Sequence, residues 1–345
     1  MMPQALLDPP LGPPFIRPDA APDKAPARRW PTLVKLAVTV AILGLLAAGA
    51  DGAAIAARLS AADPWLLTAG FAVKAFTLPL AALRWRAVGR AAGFTMSRWM
   101  SFRIQMASGF VGQILPGSVG ADLLRGWFTW RLGHPAGAVT LTLLVDRLLA
   151  LLGVVLIGLA GLPHLVAVAP PAIAWSVLGA SLVLGAGVAA LLGAARLPRE
   201  RLPLPARLRD GKVVRSLWGA VAELRAMALR PAAWVALGHA VGVHLATIAT
   251  TILFAHALGL PLGWLDGLAI VPAAIVASAL PVSFGGWGVR EGAMVAGFVL
   301  LGFDAGAALL VSVMIGLSIA VLTLPGGVFW LLLRSETSSL PDSSR

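Results

Sequence analysis

The chain has 345 residues, 59% of them hydrophobic and only 12% charged, with a mean hydropathy of +0.88. So little charge over so much apolar surface excludes a water-soluble domain, and runs approaching the ~20 apolar residues needed to cross ~30 Å of hydrocarbon recur along it. The net charge of +12 clusters beside the hydrophobic segments, which assigns it to topology and anionic lipid rather than to nucleic acid. Cysteine is absent, which excludes disulfides, thiolate metal sites and cysteine nucleophiles together.

Residues 1–31 open with the proline-studded run "MMPQALLDPPLGPPFIRPDAAPDKAPARRW". It lacks a signal peptide's apolar core and cleavage site and reads as a disordered cytoplasmic tail. A polytopic membrane domain is expected over residues 32–334, with a second short cytoplasmic tail at 335–345. Thr32 to Ala48 is the first span, Asp51 to Leu59 a connector, and Pro64 to Leu83 the second span, which ends at Arg84, Arg86 and Arg90. Arg98 to Leu115 is too short and too polar for an ordinary span. Ala136 to Leu162 and Pro171 to Ala195 cross next, followed by a basic segment, Arg196 to Arg230. Within it Val214, Leu217, Trp218, Val221 and Leu224 recur at helical spacing, the pattern of an amphipathic helix on the membrane surface or of a linker helix. Ala232 to Leu258 crosses again, and Asp266 to Leu280 and Glu291 to Phe303 are short. Ala305 to Leu333 is the last span, interrupted near Pro325-Gly326-Gly327.

Two stretches break the helical pattern, "ILPGSVGADLLRG" and "ALPVSFGGWGVREG". Displaced by 165 positions, Leu115, Pro116, Ser118, Gly120 and Arg125 fall on Leu280, Pro281, Ser283, Gly285 and Arg290, five matches in eleven positions. The density of Lys and Arg in the connections orients the chain. The tail, the segment from Arg84 to Arg103 and the nine basic residues of Arg196 to Arg230 are assigned to the cytoplasm. The connections Asp51 to Pro64, Gly161 to Pro170 and Gly259 to Gly263 hold one basic residue between them, Arg58, and are assigned outside. Both termini then lie in the cytoplasm. On this count the first repeat enters and leaves from inside and the second from outside, which makes them two inverted half-span hairpins. The expected fold is therefore an all-α integral membrane protein of about eight hydrophobic segments with two re-entrant hairpins.

Non-helical backbone at membrane depth must be buried in protein or face a water-filled cavity, and paired broken segments in corresponding halves point to a transporter's midplane site. Helix N-termini leaving such turns present free N–H groups to an anion. Arg125 and Arg290 would add full charge near the same place, with the planar donor fork that suits phosphate. Ser118 and Ser283 are expected to line one shared cavity from opposite sides. Lys74 lies midway along the second span, and Asp146-Arg147 interrupts the span from Ala136 to Leu162. An intramembrane charge costs ~2.5 kcal/mol or more unless paired or wet. Two readings stand for these residues: a role in transport, or mutual neutralisation of Asp146 by Lys74 and of Arg147 by Glu291. His239 and His244 lie ~140° apart on one helix, which favours helix–helix hydrogen bonds over a metal site. No catalytic-triad spacing, zinc-protease motif, P-loop or dinucleotide fingerprint is present.

The segments "LPGSVGADLLR", "LLVDRLLALLG" and above all "LPVSFGGWGVREGA" resemble the flippase-like membrane domain of bacterial lysylphosphatidylglycerol synthase, over roughly Thr32 to Leu333. The resemblance implies a bundle of about eight hydrophobic segments that moves polar-headed lipid between leaflets, with relatives in hopanoid and polyprenyl-glycolipid pathways. Residue by residue it marks Pro116, Gly117, Gly120, Asp122, Arg125, Asp146, Arg147, Pro281, Ser283, Gly285, Gly286, Gly288, Arg290 and Glu291. The full synthase adds a second membrane block and an aminoacyl-transferase domain, neither found here, so lipid aminoacylation is not expected.

The expected function is translocation of a phospholipid or other polar-headed lipid across the bacterial inner membrane, without catalysis, metal or cofactor. The expected partner is a membrane lipid, anionic or phosphate-bearing, and no nucleic acid. Substrate contact is assigned to Arg125, Arg290, Glu291, Ser118, Ser283, Gly120, Gly285, Gly286, Asp122, Asp146, Arg147 and Lys74. Two alternatives remain at this level. One is a non-catalytic membrane subunit that partners lipid-synthesis enzymes. The other is a membrane-embedded lipid transferase with Asp146, Asp122 or Glu291 as base.

Overall fold

The computed structural model describes residues 30–48, 51–114, 118–194, 196–198, 201, 205, 207, 210–279 and 286–338, and among them all regular structure is helical. In chain order the helices are α1 (Trp30–Ala48), α2 (Gly52–Ser60), α3 (Pro64–Ala91), α4 (Arg98–Ile114), α5 (Ser118–Arg131), α6 (Ala136–Val168) and α7 (Pro171–Ala194). They continue with α8 (Lys212–Leu229), α9 (Pro231–Ala257), α10 (Trp264–Ala279), α11 (Val289–Leu300), α12 (Ala305–Thr323) and α13 (Gly326–Ser338). Five segments are long and apolar enough to cross a bilayer: α3, α6, α7, α9 and the α12–α13 run Ala305–Glu336. The proline-rich tail and the last residues of the chain lie outside the described residues.

Local chemistry sets the helix boundaries. Asp63 caps α3 by accepting from the Trp65 and Leu66 amides at 2.8 and 3.2 Å, and Pro64 fills the first helical position, where no N–H is needed. Asp51 and Asp304 cap α2 and α12 in the same way. The stretch from Asp51 is thus a capped helix rather than a plain connector. The helix α3 runs on past Leu83 to Ala91, so Arg84, Arg86 and Arg90 lie on it instead of following it. Likewise α6 continues through Pro163 to Val168, leaving a much shorter turn before α7 than the expected connection from Gly161. The last span does break at Leu324 and Pro325. There a Cβ on Gly326 would collide with the Met106 carbonyl and one on Gly327 would meet Phe110, so α13 crosses α4 at close range.

The bundle is centred on α3 and α9, which share the most extensive helix–helix interface. Small residues allow the approach: Gly70 faces Phe254, and Gly153 on α6 faces Ala240 and His244 on α9. Threonines on α9 satisfy themselves within the helix, as Thr250 and Thr251 donate to the carbonyls of Ala246 and Thr247 at 2.9 Å. By contrast α7 buries only Ala174, and Trp175 on it is 70% exposed. An apolar helix that packs on its neighbours along one side and is exposed along the other has lipid as its natural solvent there. The amphipathic α8 packs on the bundle through Leu224 and Met227 and leaves Leu217 outward, so its apolar residues divide between a bundle-facing and an open side.

Both repeat motifs join short helices into hairpins. The 17 and 14 residues of α4 and α5 reach ~25 and ~21 Å, and the 16 and 12 residues of α10 and α11 reach ~24 and ~18 Å. Each arm is shorter than ~30 Å of hydrocarbon. The arms run antiparallel: Gly112 meets Ala121 while Gln105 bonds Arg125, and Ser278 meets Gly286 while Ile270 meets Gly297.

Candidate functional site

The charged residues at membrane depth form two groups. The first centres on Asp146, 1% exposed on α6. Arg84 of α3 grips it with two bonds, Nε to Oδ1 at 2.8 Å and Nη2 to Oδ2 at 3.1 Å. Arg125 of α5 donates from Nη2 to the same Oδ2 at 2.9 Å and to Asp122 Oδ1 at 2.8 Å. Its Nη1 reaches Gln105 Oε1 of α4 at 3.3 Å, and its guanidinium lies 4.2 Å over the Trp85 ring. Asp122 is paired in turn with Arg147. Three arginines and two aspartates from α3, α5 and α6 therefore close on one another, with Gln105 adding α4. A buried ion pair is tolerable only with such near-complete satisfaction, and both carboxylates here spend their acceptors on guanidinium groups.

The second group begins at the second repeat. Gly286 and Gly288 have φ of +81° and +84°, a region open to glycine and strained for other residues. Side chains would also lack room: a Cβ on Gly286 would lie 2.9 Å from the Ser278 carbonyl oxygen, and one on Gly288 3.1 Å from Ile42 of α1. This turn starts α11 with one half of a capping box, the Gly288 amide donating to Glu291 Oε2 at 2.6 Å. Glu291 is fully buried. Its Oε1 accepts from Arg290 Nε at 2.9 Å, from Arg290 Nη2, and from the Ser312 hydroxyl at 3.4 Å. Arg290 lies 4.7 Å over the Trp287 ring, and α12 leaves space for it with Gly316, where a Cβ would collide with the guanidinium.

Arg290 faces a cavity of about 230 Å³ that it shares with Lys74 of α3, His244, Thr247 and Thr251 of α9, and Ser278 of α10. Its remaining walls are aliphatic, among them Val271, Met294 and Ile315. The volume is far above the ~10–15 Å³ a single water needs. Lys74 is 92% buried, the complement of its 8% exposure, and its ammonium meets the Thr247 hydroxyl at 3.4 Å. Among the described residues no carboxylate lies within ion-pair distance of it. Lys74 is ten residues from Arg84 on α3, ~15 Å along the axis, and ten residues from Pro64, the outermost residue of that helix in the expected orientation.

These positions sort the residues singled out from sequence. Lys74 and Arg290 meet at one cavity, with Glu291 behind Arg290. Asp122, Arg125, Asp146 and Arg147 meet in the closed network, so Arg125 and Arg290 do not converge on one seat. Asp146 is neutralised by Arg84 and Arg125, not Lys74, and Arg147 pairs with Asp122, not Glu291. The reason is reach: Arg84, carried on the extended α3, stands opposite Asp146, while Lys74 lies a further three turns away. The amides at the start of α11 are partly committed, since Gly288 donates to Glu291 and Arg290 to the Gly286 carbonyl at 3.1 Å. Gly120 lies in the first turn of α5. Pro116, Gly117, Pro281, Ser283 and Gly285 lie outside the described residues, as does the side chain of Ser118.

Several contributors carried no motif. In the sequence Arg84 belongs to the positive flank of a span, and Gln105, Trp85, Thr247, Ser278, Ser312 and Gly316 fall in no motif. One signal was present: Gly70, Lys74, Thr77, Leu78, Ala82 and Trp85, all buried on α3, follow the three-to-four spacing of an inward helical stripe, which places Lys74 inside. His244 does make a helix–helix bond, Nε2 to the Ala150 carbonyl at 3.0 Å, whereas His239 makes none to another helix among the described residues. No group of three or more His, Asp or Glu residues among the described residues is arranged to hold a metal ion.

No curated protein and no solved structure matches the chain. A family model does, across residues 32–326, and its segment takes in both hairpins, the Asp146 network and the Lys74 cavity. That match makes the chain a multi-pass membrane protein related to lipid metabolism. It belongs to the family described as the lysylphosphatidylglycerol synthase TM region.

Proposed function

We propose that this protein is a lipid translocator of the bacterial inner membrane, passing a polar head group through the Lys74–Arg290 cavity while the acyl chains stay in lipid. The observation that carries the reading is that cavity: a space at membrane depth, walled by aliphatic side chains, in which a lysine and an arginine keep donors free. An intramembrane charge without a carboxylate partner is expensive, and its retention is accounted for by a ligand that completes it. Arg290 spends two of its five N–H groups on Glu291 and Lys74 one of three on Thr247. About five donors are left to replace the hydration shell of a phosphate group. Serine and threonine hydroxyls on the opposite walls suit the alcohols of a head group.

The two hairpins supply the moving parts. In this reading the Arg84–Asp146–Arg125 network ties α3, α4, α5 and α6 into one body, and the α10–α11 hairpin shifts against it, as inverted repeats do about a central site. Chemistry on the lipid is not required. Asp122, Asp146 and Glu291 are each committed to arginine or backbone donors, which favours transport over a transferase that needs a free carboxylate base. Both termini are placed in the cytoplasm on the positive-inside count.

The test is reconstitution of the purified full chain into liposomes carrying phosphatidylglycerol or phosphatidylethanolamine with a fluorophore on the acyl chain. A membrane-impermeant quencher should reach label from both leaflets only when protein is present. The measurement is made with and without an imposed proton gradient. Inner-leaflet label that stays protected for both lipids, in both conditions, overturns the proposal.

A further inference from the structure

The cavity has a countable charge, and the geometry points to a specific class of head group: a monoanionic phosphodiester, with Lys74 as the residue that selects it and excludes cationic head groups. This rests on the translocator reading and deepens it. Three ionised side chains bear on the space: Lys74, Arg290 and Glu291. Arg290 and Glu291 cancel, because the guanidinium is bound to the carboxylate through Nε and Nη2. Among the described residues Lys74 is left without a carboxylate partner, beside Thr247, and their charges at the site sum to plus one.

A phosphodiester carries one negative charge and brings the site to neutrality without excess. A head group with an added ammonium needs an acceptor carboxylate, and among the described residues the site offers none. The acceptors of Glu291 are already taken: Oε2 by the Gly288 amide, and Oε1 by Arg290 and the Ser312 hydroxyl. It is also wholly buried. The lining groups that remain, His244, Thr247, Thr251 and Ser278, are uncharged acceptors or donors at most, with His244 already bonded to the Ala150 carbonyl. Like charge brought against a desolvated ammonium is penalised by several kcal/mol, so exclusion of cations follows from the same residue that attracts anions.

The experiment compares three lipids with identical labelled acyl chains in full-chain proteoliposomes: phosphatidylglycerol, phosphatidylethanolamine and the cationic ethylphosphatidylcholine. Protein-dependent translocation should be fastest for phosphatidylglycerol and at least about tenfold slower for the cationic lipid. Lys74→Gln should erase the preference and Lys74→Glu should reverse it, while Lys74→Arg should keep it. Equal rates for the three lipids, or a faster cationic lipid, with wild-type protein overturn the inference and leave the translocator reading standing. No protein-dependent movement of any of them, with and without an imposed proton gradient, overturns that reading itself. A Lys74→Glu protein that reconstitutes and still prefers phosphatidylglycerol assigns the selectivity elsewhere.

Discussion

Arg84 and Lys74 sit on one helix, ten residues apart, and meet opposite fates. Arg84 gives two bonds to a carboxylate that Arg125 also holds, in a network where Asp122 and Gln105 take further donors. Lys74 meets a single hydroxyl at 3.4 Å and a cavity. A membrane protein stabilises itself by pairing its buried charges, and it leaves one unpaired only where something else is to pair with it. The difference teaches that charge count alone does not find a binding site; the state of satisfaction of each charge does.

The comparison is broken or sharpened first by stability. Removing the carboxylate in Asp146→Ala leaves two buried guanidinium groups facing each other, and loss of one partner from a buried pair costs ~3–5 kcal/mol. Thermal unfolding of the protein in detergent should shift strongly downward. Lys74→Met strands no partner, so its melting temperature should equal or exceed that of the wild type, while lipid translocation falls. Equal destabilisation by the two substitutions would erase the distinction between the regions.

Gly316 offers a second, smaller test. A valine there pushes into Arg290 and Trp287, an overpacking of ~1–3 kcal/mol. The protein should still fold, with translocation reduced because the guanidinium no longer reaches the cavity. Unchanged translocation in a folded Gly316→Val protein would mean that Arg290 does not act there.

Much of this was legible in sequence and some was not. The hydrophobic runs, the break at Pro325 and the two hairpins follow from periodicity and from Pro and Gly, which act locally. Lys74 and Arg290 were visible because charge at membrane depth is rare. Their division into a closed and an open group was not visible, since it depends on which helix faces which. Arg84 is the clearest case: from sequence it ends a span, and in the fold the helix continues past it to Ala91 and its side chain turns inward to Asp146. The pairing of Asp146 with Arg125 across 21 residues likewise needs the hairpin to fold α5 back against α6. The cavity's hydroxyls carry no motif, because serine and threonine on apolar helices most often bond their own carbonyls, as Ser278 does to Ile275 at 2.7 Å.

The smallest effect is expected at the rim of the network. Arg147 has a side chain 38% exposed, and a solvent-screened pair of this kind contributes ~0–1 kcal/mol. Arg147→Ala should leave both the melting temperature and translocation near wild type. A large loss of translocation without loss of stability would move the functional site from the cavity to the network.

The central claim, that a lipid head group occupies the cavity at Lys74, is tested most directly by chemical protection. The native chain has no cysteine, so Ser278→Cys introduces a single thiol on the cavity wall while the bond between Lys74 and Thr247 stays intact. In proteoliposomes an uncharged, water-soluble maleimide should modify it, and the rate should fall when phosphatidylglycerol replaces a neutral lipid. Adding Lys74→Met should abolish that protection. A thiol that reacts at one rate in both lipids, with Lys74 in place, would contradict the account.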